Sequence, residues 1–420
     1  MSKFKNILIL AAGDSTRFWP LKRKSYFPFL QKPLLQHQLS NLKNYSESLS
    51  VIVNQSDYQF ANSIIKQIKN GNNYKFQVIN QKQNLKGQGG AILSAKNKIK
   101  AEVLILNAED IFKFDILNQC IDTARDKNLD YLCLAKKVNS YFPGGYLATK
   151  KNKLDQIIEK PQPKKTPSNL VKLVVDYFKD FSQLILALEK TKTNRDDQYE
   201  QAINVLLRQT NRREYILYDD FWYPLKYPWH VLGMIQYFLD PLKNEIKLGK
   251  NVKIAQTAKI VGPCFIDDNT IVGDYALVRQ SHIGKNCLIG GYSEVARSYL
   301  AEGVSLHRNY IGDSVLDTKV LFGAEATTAN FRFDGGSVKS FIKSKKVNTN
   351  LAKFGAIVGA GSKIGVNSTL LPGVKIGSNT LIGPGETIYE DVKDNTFLFK
   401  TSRTKNKMGG GSGMAPNSAQ

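Results

Sequence analysis

The sequence predicts a chain of two domains: an α/β domain with a Rossmann-like, mixed and mostly parallel sheet over residues 1–240, and a left-handed parallel β-helix over residues 241–400. The first prediction comes from apolar segments that alternate with amphipathic ones, which is typical of strands joined by crossover helices. The second comes from aliphatic residues that recur every six positions, a period of neither a helix nor an alternating strand. Residues 401–420 are basic and then Gly/Ser-rich, so we expect a flexible tail there.

The bulk composition narrows the classes of partner. The 59 Lys and Arg residues outnumber the 36 Asp and Glu residues, so anionic partners are expected. The cations are scattered and no nucleic-acid motif is present, which favours phosphorylated small molecules over specific nucleic acid. No apolar run approaches the roughly 20 residues of a membrane helix, and the four cysteines lack metal-ligand spacing. We therefore expect a soluble cytoplasmic protein with no membrane partner and with reduced thiols.

The elements of the first domain follow one another in alternating order after a buried strand at residues 7–10. Helices are predicted at 34–42, 58–68, 90–99, 178–190 and 196–209, and strands at 49–53, 74–79, 103–106 and 215–218. In sheets of this kind, ligands bind at the carboxyl ends of the parallel strands. The loop after the first strand is therefore an expected binding site.

That loop has the composition of an anion-binding turn. Ala11, Ala12 and Gly13 let the backbone turn tightly, and such a turn can point several amide N–H groups at one ligand. Arg17 and the basic run 22–24 follow closely, which favours a triphosphate over a neutral substrate. From these residues alone, a surface turn beside a solvated basic segment is the alternative.

The same stretch resembles the signature of the sugar-phosphate nucleotidylyltransferases, which runs Leu-Ala-Ala-Gly-x-Gly-Thr-Arg, then Pro-Leu, Pro-Lys-x-Leu and Lys-Pro-Leu. The matched positions are Leu10, Ala11, Ala12, Gly13, Thr16, Arg17, Pro20, Leu21, Lys24, Lys32, Pro33 and Leu34. Ser15 stands at the second glycine of the signature and Arg23 at its proline. The resemblance implies that residues 10–13 bind the nucleotide, and that Arg17 and Lys24 hold phosphates as a sugar 1-phosphate attacks the α-phosphorus.

Two further strand ends carry candidate ligand-binding residues. Gly87 and the glycines after it resemble the family's segment that approaches the nucleotide base, and Gln81 or Gln83 could read the base edge of UTP or dTTP. At the next strand end, the resemblance implies a carboxylate that binds Mg²⁺ between the two phosphates. Magnesium prefers hard oxygen ligands, and one or two carboxylates suffice. Position favours Glu109 and residue type favours Asp110, which we choose.

A sugar-binding end is implied by Gly145 and by the Glu159-Lys160 pair, which resembles the family's Glu-Lys-Pro. A carboxylate accepts hydrogen bonds from paired hydroxyl groups, and a lysine ammonium balances the negative charge of the phosphate. A hairpin end with a solvated ion pair is the alternative. The family's Asn-x-Gly is not evident at residues 169–174.

The resemblance weakens near the end of the first domain. The family has a second metal-binding aspartate in a Trp-x-Asp motif, and Pro224 takes that place here. Proline cannot ligate a metal through its side chain. Asp219 or Asp220 could substitute from nearby, or Lys226 could supply positive charge at the phosphates.

The second domain is predicted from its repeat. Aliphatic residues recur every six positions, with one slip of a single residue, at Ile254, Ile260, Ile266, Val272, Val278, Ile283, Ile289 and Val295, and again at Val358, Ile364, Leu370, Ile376, Ile382 and Ile388. This pattern predicts short parallel strands in triangular coils, each of which buries its aliphatic residues against the next coil.

Residues 305–337 interrupt the repeat and concentrate polar side chains. They resemble the acetyltransferase half of the archaeal-type bifunctional UDP-N-acetylglucosamine pyrophosphorylase/glucosamine-1-phosphate acetyltransferases, with His-x-x-Tyr-hydrophobic-Gly-Asp-Ser at 307–314 and Thr-Thr-Ala-Asn-hydrophobic-Arg at 327–332. Together with the N-terminal signature, the resemblance covers both halves in the expected order. It implies acetyl-CoA as co-substrate and a homotrimer, formed through the β-helix, with sites between subunits.

Acetyl transfer to an amino sugar needs a base that takes a proton from the amine. His307 is the one histidine of four that stands in a polar cluster at a break in the repeat, and imidazole suits this task. The resemblance implies that Tyr310, Asn330 and Lys339 bind the sugar phosphate. The backbone N–H of Ala356 could serve as the oxyanion donor.

The leading hypothesis is a two-step enzyme that acetylates glucosamine-1-phosphate and then couples the product to UTP, which gives UDP-N-acetylglucosamine and pyrophosphate. A second hypothesis keeps only nucleotidylyl transfer, from UTP or dTTP to glucose-1-phosphate, with the β-helix as a trimerising scaffold. A third, prompted by Pro224, is a non-catalytic assembly that binds nucleotide sugars.

Overall fold

The computed structural model describes residues 2–69, 74–151 and 153–399. The predicted tail, 401–420, lies outside the described residues. The strands of the first domain are β1 (Phe4–Leu10), β2 (Pro28–Phe29), β3 (Lys32–Pro33), β4 (Ser46–Val53), β5 (Lys75–Asn80), β6 (Val103–Asn107), β7 (Asp110–Phe112), β8 (Tyr131–Lys137), β9 (Gly145–Lys150), β10 (Lys153–Glu159), β11 (Leu170–Phe178), β12 (Arg213–Leu217) and β13 (Trp222–Pro224). Its α-helices are α1 (Leu34–Leu42), α2 (Tyr58–Lys69), α3 (Gly87–Leu93), α4 (Ile116–Asp126), α5 (Phe181–Lys190), α6 (Gln198–Gln209) and α7 (His230–Leu239).

Nine of these strands form one mixed sheet. Its order is β10-β9-β11-β6-β1-β4-β5, with β8 beside β11 and β12 beside β8. Strands β1, β4, β5 and β6 run parallel, whereas β11 is antiparallel to β6 and β8. Because side chains alternate across a strand, Ile7 and Ile9 enter the core on one face, and Leu8 and Leu10 enter the core on the other. The carboxyl ends of the four parallel strands meet at one edge, where their loops can form a site.

The predicted elements of this domain are present, several with shifted ends. The helix predicted at 90–99 runs from Gly87 to Leu93 instead. The helix predicted at 178–190 begins at Phe181, because the Asp180 carboxylate accepts a hydrogen bond of 2.8 Å from Ser182 N and caps it there. Helix α7 was not predicted, since it packs between the two domains and lacks the polar face by which an amphipathic helix is found.

The second domain is the predicted β-helix, built from three parallel sheets. The first contains β14 (Ile246–Leu248), β17 (Cys264–Ile266), β20 (His282–Ile283), β23 (Tyr299–Leu300), β26 (Val315–Leu316), β31 (Ile357–Val358) and β34 (Lys375–Ile376). The second contains β15 (Lys253–Ile254), β18 (Ile271–Val272), β21 (Leu288–Ile289), β24 (Ser305–Leu306), β27 (Leu321–Phe322), β32 (Lys363–Ile364), β35 (Leu381–Ile382) and β37 (Phe397–Leu398). The third contains β16 (Lys259–Val261), β19 (Leu277–Arg279), β22 (Glu294–Ala296), β25 (Tyr310–Gly312), β28 (Thr327–Thr328), β33 (Thr369–Leu370) and β36 (Thr387–Ile388).

The six-residue repeat gives this domain its core. Aliphatic residues of the repeat, such as Ile289 and Ile376, are fully buried between coils. Ile254, in the first coil, is 36% exposed because no coil precedes it. Small polar residues are buried as well, since their hydroxyl groups donate to backbone carbonyls, as Ser362 does to Gly377 O at 2.6 Å.

The break in the repeat is an insertion between β28 and β31. Strand β26 pairs directly with β31, so the chain leaves the coils and returns to them. The excursion contains an antiparallel hairpin of β29 (Lys339–Ile342) and β30 (Lys345–Asn348).

The two domains share an apolar junction. The short hairpin β2–β3, residues 28–33, lies against the first sheet of the β-helix, and we call it the docking hairpin. The ring centroids of Phe27 and Tyr299 are 4.9 Å apart, and Tyr299 Oη donates to Pro28 O at 2.9 Å. Trp229, which is 1% exposed, packs in the same cluster beside Phe354.

Polar contacts flank this junction. Leu30 N donates to His282 Nε2 at 3.2 Å, and the Gln31 amide donates to Asp267. On the N-terminal side of Lys24, Trp19 Nε1 donates to Asp394 Oδ1 at 3.1 Å. The β-helix therefore contacts the first domain on both sides of Lys24.

Candidate active sites

A cavity of about 1610 Å³ opens at the carboxyl edge of the first sheet. Its lining includes most of the residues predicted for this domain: Leu10, Ala12, Gly13, Arg17, Lys24, Gln81, Gln83, Gly87, Glu109, Asp110, Gly145, Glu159 and Lys160. Ala11 is not among the lining residues, because it is buried and its N–H donates to Ile52 O at 2.8 Å. Segments far apart in sequence thus form one site.

The loop that follows β1 holds Lys24 in a fixed position. Ser15 adopts φ 54°, a left-handed conformation that favours the glycine of the signature, and its Oγ accepts a hydrogen bond from Lys24 N at 3.2 Å. Lys24 Nζ lies 3.3 Å from Glu109 Oε2, and Ser25 Oγ donates to Glu109 Oε1 at 2.9 Å. Arg17 is exposed at the cavity mouth and, among the described residues, has no ion-pair partner. Its guanidinium is free to bind an anionic ligand.

The residues predicted to meet the base are only partly free. Gln81 Nε2 donates to Leu85 O at 2.6 Å, so its amide group closes the loop that precedes α3. Gln83 lies at the cavity wall and is exposed. Gln88 Nε2 donates to Asn107 Oδ1 at 3.2 Å and joins α3 to the end of β6. Of the two candidate glutamines, Gln83 therefore has the freer side chain.

The sugar end contains the predicted pair and a buried network beneath it. Gly145 pairs with Glu159 across β9 and β10, and Lys160 Nζ lies 2.9 Å from Glu159 Oε1. Sequence reasoning missed the network on β11, where Lys172 Nζ lies 2.7 Å from Asp176 Oδ2 with both side chains buried. Burial lowers the pKa of Lys172, but the charges of Asp176 and Glu200 outweigh that effect and raise it.

Hydroxyl groups complete this network. Tyr131 and Tyr199 donate to Asp176 at 2.7 and 2.9 Å. Glu200, on α6, lines the cavity, and its burial raises its pKa to about 7. The sequence does contain a signal for this network, a lysine and an aspartate four positions apart inside an apolar strand. Charged side chains in such a strand are seldom buried unless they are paired, so the two residues could have been predicted to form an ion pair.

The predicted magnesium ligands do not form a metal site. Asp110 is buried, and its burial together with the charge of Glu109 raises its pKa to about 7. Glu109 is already bound by Lys24 and Ser25. In the register of β7 and β13, Pro224 lies directly opposite Asp110.

No other residue completes that site. Across the part of the chain that the structure describes, no group of three or more His, Cys, Asp or Glu side chains is placed to hold a metal ion. Asp219 and Asp220 do not line the cavity, and Asp220 lies 2.7 Å from Lys113 Nζ instead. One or two carboxylates would suffice for magnesium. Glu109, however, is held by Lys24 and Ser25, and Asp110 is buried opposite a proline, so neither is a free carboxylate ligand and the residues present do not fit a magnesium ion held by the protein.

Lys226 lines the cavity near Arg17 and Lys160. Its Nζ donates to Pro143 O at 3.0 Å and lies 5.0 Å from the centre of the Phe142 ring. Burial, Arg17 and Lys160 lower its pKa to about 8. At neutral pH, the ammonium is mostly charged.

The second candidate site lies on the third sheet of the β-helix. Asn330 Nδ2 donates to Tyr310 Oη at 3.1 Å and to Asp313 Oδ2 at 2.5 Å, so two predicted residues meet. Arg297 Nε and Nη2 each donate to Asp313 at 2.7 Å. Sequence reasoning missed Arg297, which belongs to the preceding coil and is brought here only by the stacking of coils.

His307 lies at the corner between β24 and β25, with an exposed side chain. Its backbone is fixed, because its N–H donates to Asn309 Oδ1 at 2.7 Å and its carbonyl accepts from Ser293 Oγ at 3.0 Å. Lys339 is exposed on β29. Among the described residues, neither side chain makes a hydrogen bond to Tyr310 or Asn330.

The oxyanion assignment to Ala356 is not supported. Ala356 is fully buried, and its N–H donates to Ser314 Oγ at 3.0 Å inside the coil. A donor that is already satisfied in the core does not face a substrate.

The fold and the two sites define a nucleotidyltransferase joined to a hexapeptide-repeat transferase. A family model described as nucleotidyl transferase matches residues 6–240. Models described as bacterial transferase hexapeptide and as hexapeptide repeat of succinyl-transferase match residues 355–385 and 282–310.

Full-length relatives carry both halves. The chain is 31% identical to the bifunctional sugar-1-phosphate nucleotidylyltransferase/acetyltransferase of Sulfurisphaera tokodaii, over 93% of this chain and 98% of that protein. It is 31% identical to the bifunctional protein GlmU of Methanococcus maripaludis and 30% identical to that of Methanocaldococcus jannaschii, in each case over 94% of this chain and 97% of the relative. The chain belongs to this family of bifunctional nucleotidylyltransferase/acetyltransferases.

Membership confirms the predicted enzyme class, a nucleotidyltransferase and an N-acetyltransferase in one chain. Membership favours the two-step enzyme over the two other hypotheses, a nucleotidylyltransferase whose β-helix is only a trimerising scaffold and a non-catalytic assembly that binds nucleotide sugars. Within residues 2–69, 74–151 and 153–399, no helix combines the length and apolar character needed to cross a membrane.

Proposed function

We propose that this protein acetylates glucosamine-1-phosphate with acetyl-CoA and then transfers a uridylyl group from UTP to N-acetylglucosamine-1-phosphate, releasing pyrophosphate. The observation that carries the proposal is the presence, in one chain, of a cavity lined by Arg17 and Lys24 and of a Tyr310–Asn330 network that follows the exposed His307 by three residues in sequence. The nucleotide could equally be dTTP, because the glutamines at the base end do not read the methyl group that distinguishes thymine.

In the first domain, we assign the phosphates of the nucleotide to the loop at residues 10–13 and to Arg17. An oxygen of the sugar phosphate attacks the α-phosphorus, and the bond to the departing pyrophosphate breaks. Lys24, held by Glu109, stabilises the charge that develops at the phosphates. Glu159 accepts hydrogen bonds from the sugar hydroxyl groups, and Lys160 binds the sugar phosphate.

In the second domain, the amine of glucosamine-1-phosphate attacks the thioester carbonyl of acetyl-CoA. His307 accepts the proton that the amine loses, and coenzyme A leaves as its thiol. Tyr310, Asn330 and Lys339 bind the sugar phosphate. Asp313 and Arg297 fix the Asn330 amide, so that its orientation is set before the substrate arrives.

A homotrimer would bring further residues to this exposed site. The second domain presents large aromatic side chains to solvent: Tyr275 and Tyr292 on the coils are 58% and 66% exposed, and Phe331 and Phe333 on the insertion are 51% and 109% exposed. Such a surface is suited to contact between copies of the chain. Light scattering of the purified protein tests this assembly, and a monomer would contradict it.

The test of the function measures two products in one protein. Purified protein is mixed with glucosamine-1-phosphate, acetyl-CoA, magnesium chloride and either UTP or dTTP, and coenzyme A and pyrophosphate are measured separately. We expect both, and the absence of a nucleotide sugar would refute the proposal. His307→Ala should lower coenzyme A release by about 10²–10⁴-fold. It should spare the release of pyrophosphate from UTP when N-acetylglucosamine-1-phosphate is supplied as the acceptor. Unchanged acetyl transfer would refute the assignment of His307 as base.

A further inference from the structure

Lys226 is a cation of the cavity that lacks a carboxylate partner. Three other cavity lysines have one: Lys24 lies 3.3 Å from Glu109, Lys160 lies 2.9 Å from Glu159, and Lys172 lies 2.7 Å from Asp176. The cavity lysines that, like Lys226, form no ion pair among the described residues are Lys82, Lys86 and Lys192, and these three are exposed, whereas Lys226 is half-buried. For Lys226, in contrast, no carboxylate oxygen of the described chain lies within ion-pair distance. Its one hydrogen bond, to Pro143 O, leaves two of its three N–H donors for a ligand.

The backbone fixes where this ammonium points. Pro224 pairs with Asp110, and Leu225 N donates to Glu109 O at 2.8 Å. Leu225 is 1% exposed and anchors this turn in the junction core. Lys226 N donates to Pro224 O at 3.0 Å, and this hydrogen bond tightens the turn. The turn directs the Lys226 side chain into the cavity. The ammonium therefore enters the cavity, where the charges of Glu159 and Asp110 act on it from beyond ion-pair distance.

We propose that Lys226, with Arg17 and Lys160, binds the reacting phosphates directly and replaces a magnesium ion held by the protein. The proposal rests on the proposed function for the identity of those phosphates, but not for the binding of phosphate itself. An ammonium is a compact point charge that binds phosphate oxygens without a fixed coordination geometry. Phosphate binding by an ammonium needs no second carboxylate, so Pro224 opposite Asp110 does not weaken it.

The binding test uses inorganic pyrophosphate and calorimetry in the presence of EDTA. Lys226→Met should weaken binding by about tenfold or more, as expected for loss of a charged hydrogen bond. Lys226→Arg should retain most of the affinity, since it keeps the charge. Lys113→Met is the matched control, because Lys113 pairs with Asp220 outside the cavity. Equal affinity of wild type and Lys226→Met, with both folded by thermal unfolding, would overturn the proposal.

The metal test separates counter-ions of the nucleotide from ions held by the protein. Hexaamminecobalt(III) does not exchange its ligands, so it can screen a nucleotide but cannot be coordinated by Asp110 or Glu109. We expect it to support pyrophosphate release as magnesium does, and we expect the nucleotide-free protein to bind no Mn²⁺ by electron paramagnetic resonance. A double variant, Pro224→Asp with Lys226→Gly, should gain Mn²⁺ binding and lose the response to the cobalt complex.

Two outcomes are distinguishable. Stoichiometric Mn²⁺ binding that Asp110→Asn abolishes, or turnover with magnesium and none with the cobalt complex, would overturn the role of Lys226. Absence of pyrophosphate release with every nucleotide and metal would instead refute the proposed function. In that case, the pyrophosphate titrations would still decide whether Lys226 binds phosphate.

Discussion

His282 should make the stability of the domain junction dependent on pH. Its ring is buried, stacks at 4.5 Å on Tyr299, and accepts a hydrogen bond from Leu30 N of the docking hairpin. Its Nδ1 has no partner within the described chain. An imidazolium here would lose the hydrogen bond that it accepts and would lie in an apolar environment, so burial lowers the pKa of His282 to about 4.

The sign and size of the effect follow from proton uptake. Above pH 6.5, the ring is neutral in the folded and unfolded chains, so its full contribution is present. Between pH 6.5 and 4, the unfolded chain binds a proton that the folded chain does not, and stability falls as the pH falls. The difference between 6.5 and about 4 corresponds to a loss of about 3 kcal/mol at pH 4.

The assay compares wild type with His282→Gln, whose amide oxygen can still accept from Leu30 N. Guanidinium unfolding is followed by tryptophan fluorescence, since Trp19 and Trp229 lie at the junction. Carboxylates and the other histidines are common to both proteins and cancel in the difference. We expect wild type to lose about 3 kcal/mol relative to the variant between pH 7 and 4. Parallel pH profiles would refute the reasoning.

Three further results are expected. Lys172→Met should cost about 3–5 kcal/mol in denaturant unfolding, because it leaves the buried Asp176 carboxylate unpaired, and adding Asp176→Asn should recover part of the loss; a change below about 1 kcal/mol would contradict the buried pair. Trp229→Ala should cost about 3–5 kcal/mol and lower the thermal midpoint, and an unchanged midpoint would contradict its place in the junction. Glu159→Gln should raise KM for the sugar phosphate by roughly 10–100-fold while KM for UTP stays within about twofold, and a larger change for UTP would place Glu159 at the wrong end of the cavity.

Local sequence patterns were sufficient to find cavity residues and coils that lie within one segment of the chain. The strand-loop signature identified Arg17 and Lys24 as cavity residues, and the six-residue repeat predicted the coils. Both patterns consist of residues that are close together in the sequence. Chemistry alone also suggested that Lys226 could act at the phosphates. The register of β7 and β13, which places Pro224 opposite Asp110, could not be predicted from the sequence.

Sequence reasoning failed where partners come from distant segments. Arg297 reaches Asp313 across one coil, and Ala356 is satisfied by Ser314, 42 positions earlier in the chain. The network on β11 was missed because Asp176 takes its donors from β8 and α6 as well as from its own strand. Pairings of this kind depend on the topology of the sheet and the coils, which single-sequence patterns do not specify.

The docking hairpin limits how the two halves can be separated. The hairpin begins four residues after Lys24. Five residues before Lys24, the Trp19 indole donates a hydrogen bond to Asp394, near the end of the last coils. A first domain expressed alone would therefore lose the support on both sides of Lys24 and would expose Phe27, Phe29 and Trp229 to water. Weak activity of such a fragment would report the loss of this support rather than the intrinsic chemistry of the nucleotidyltransferase half. Kinetic constants for either reaction are best compared among full-length variants.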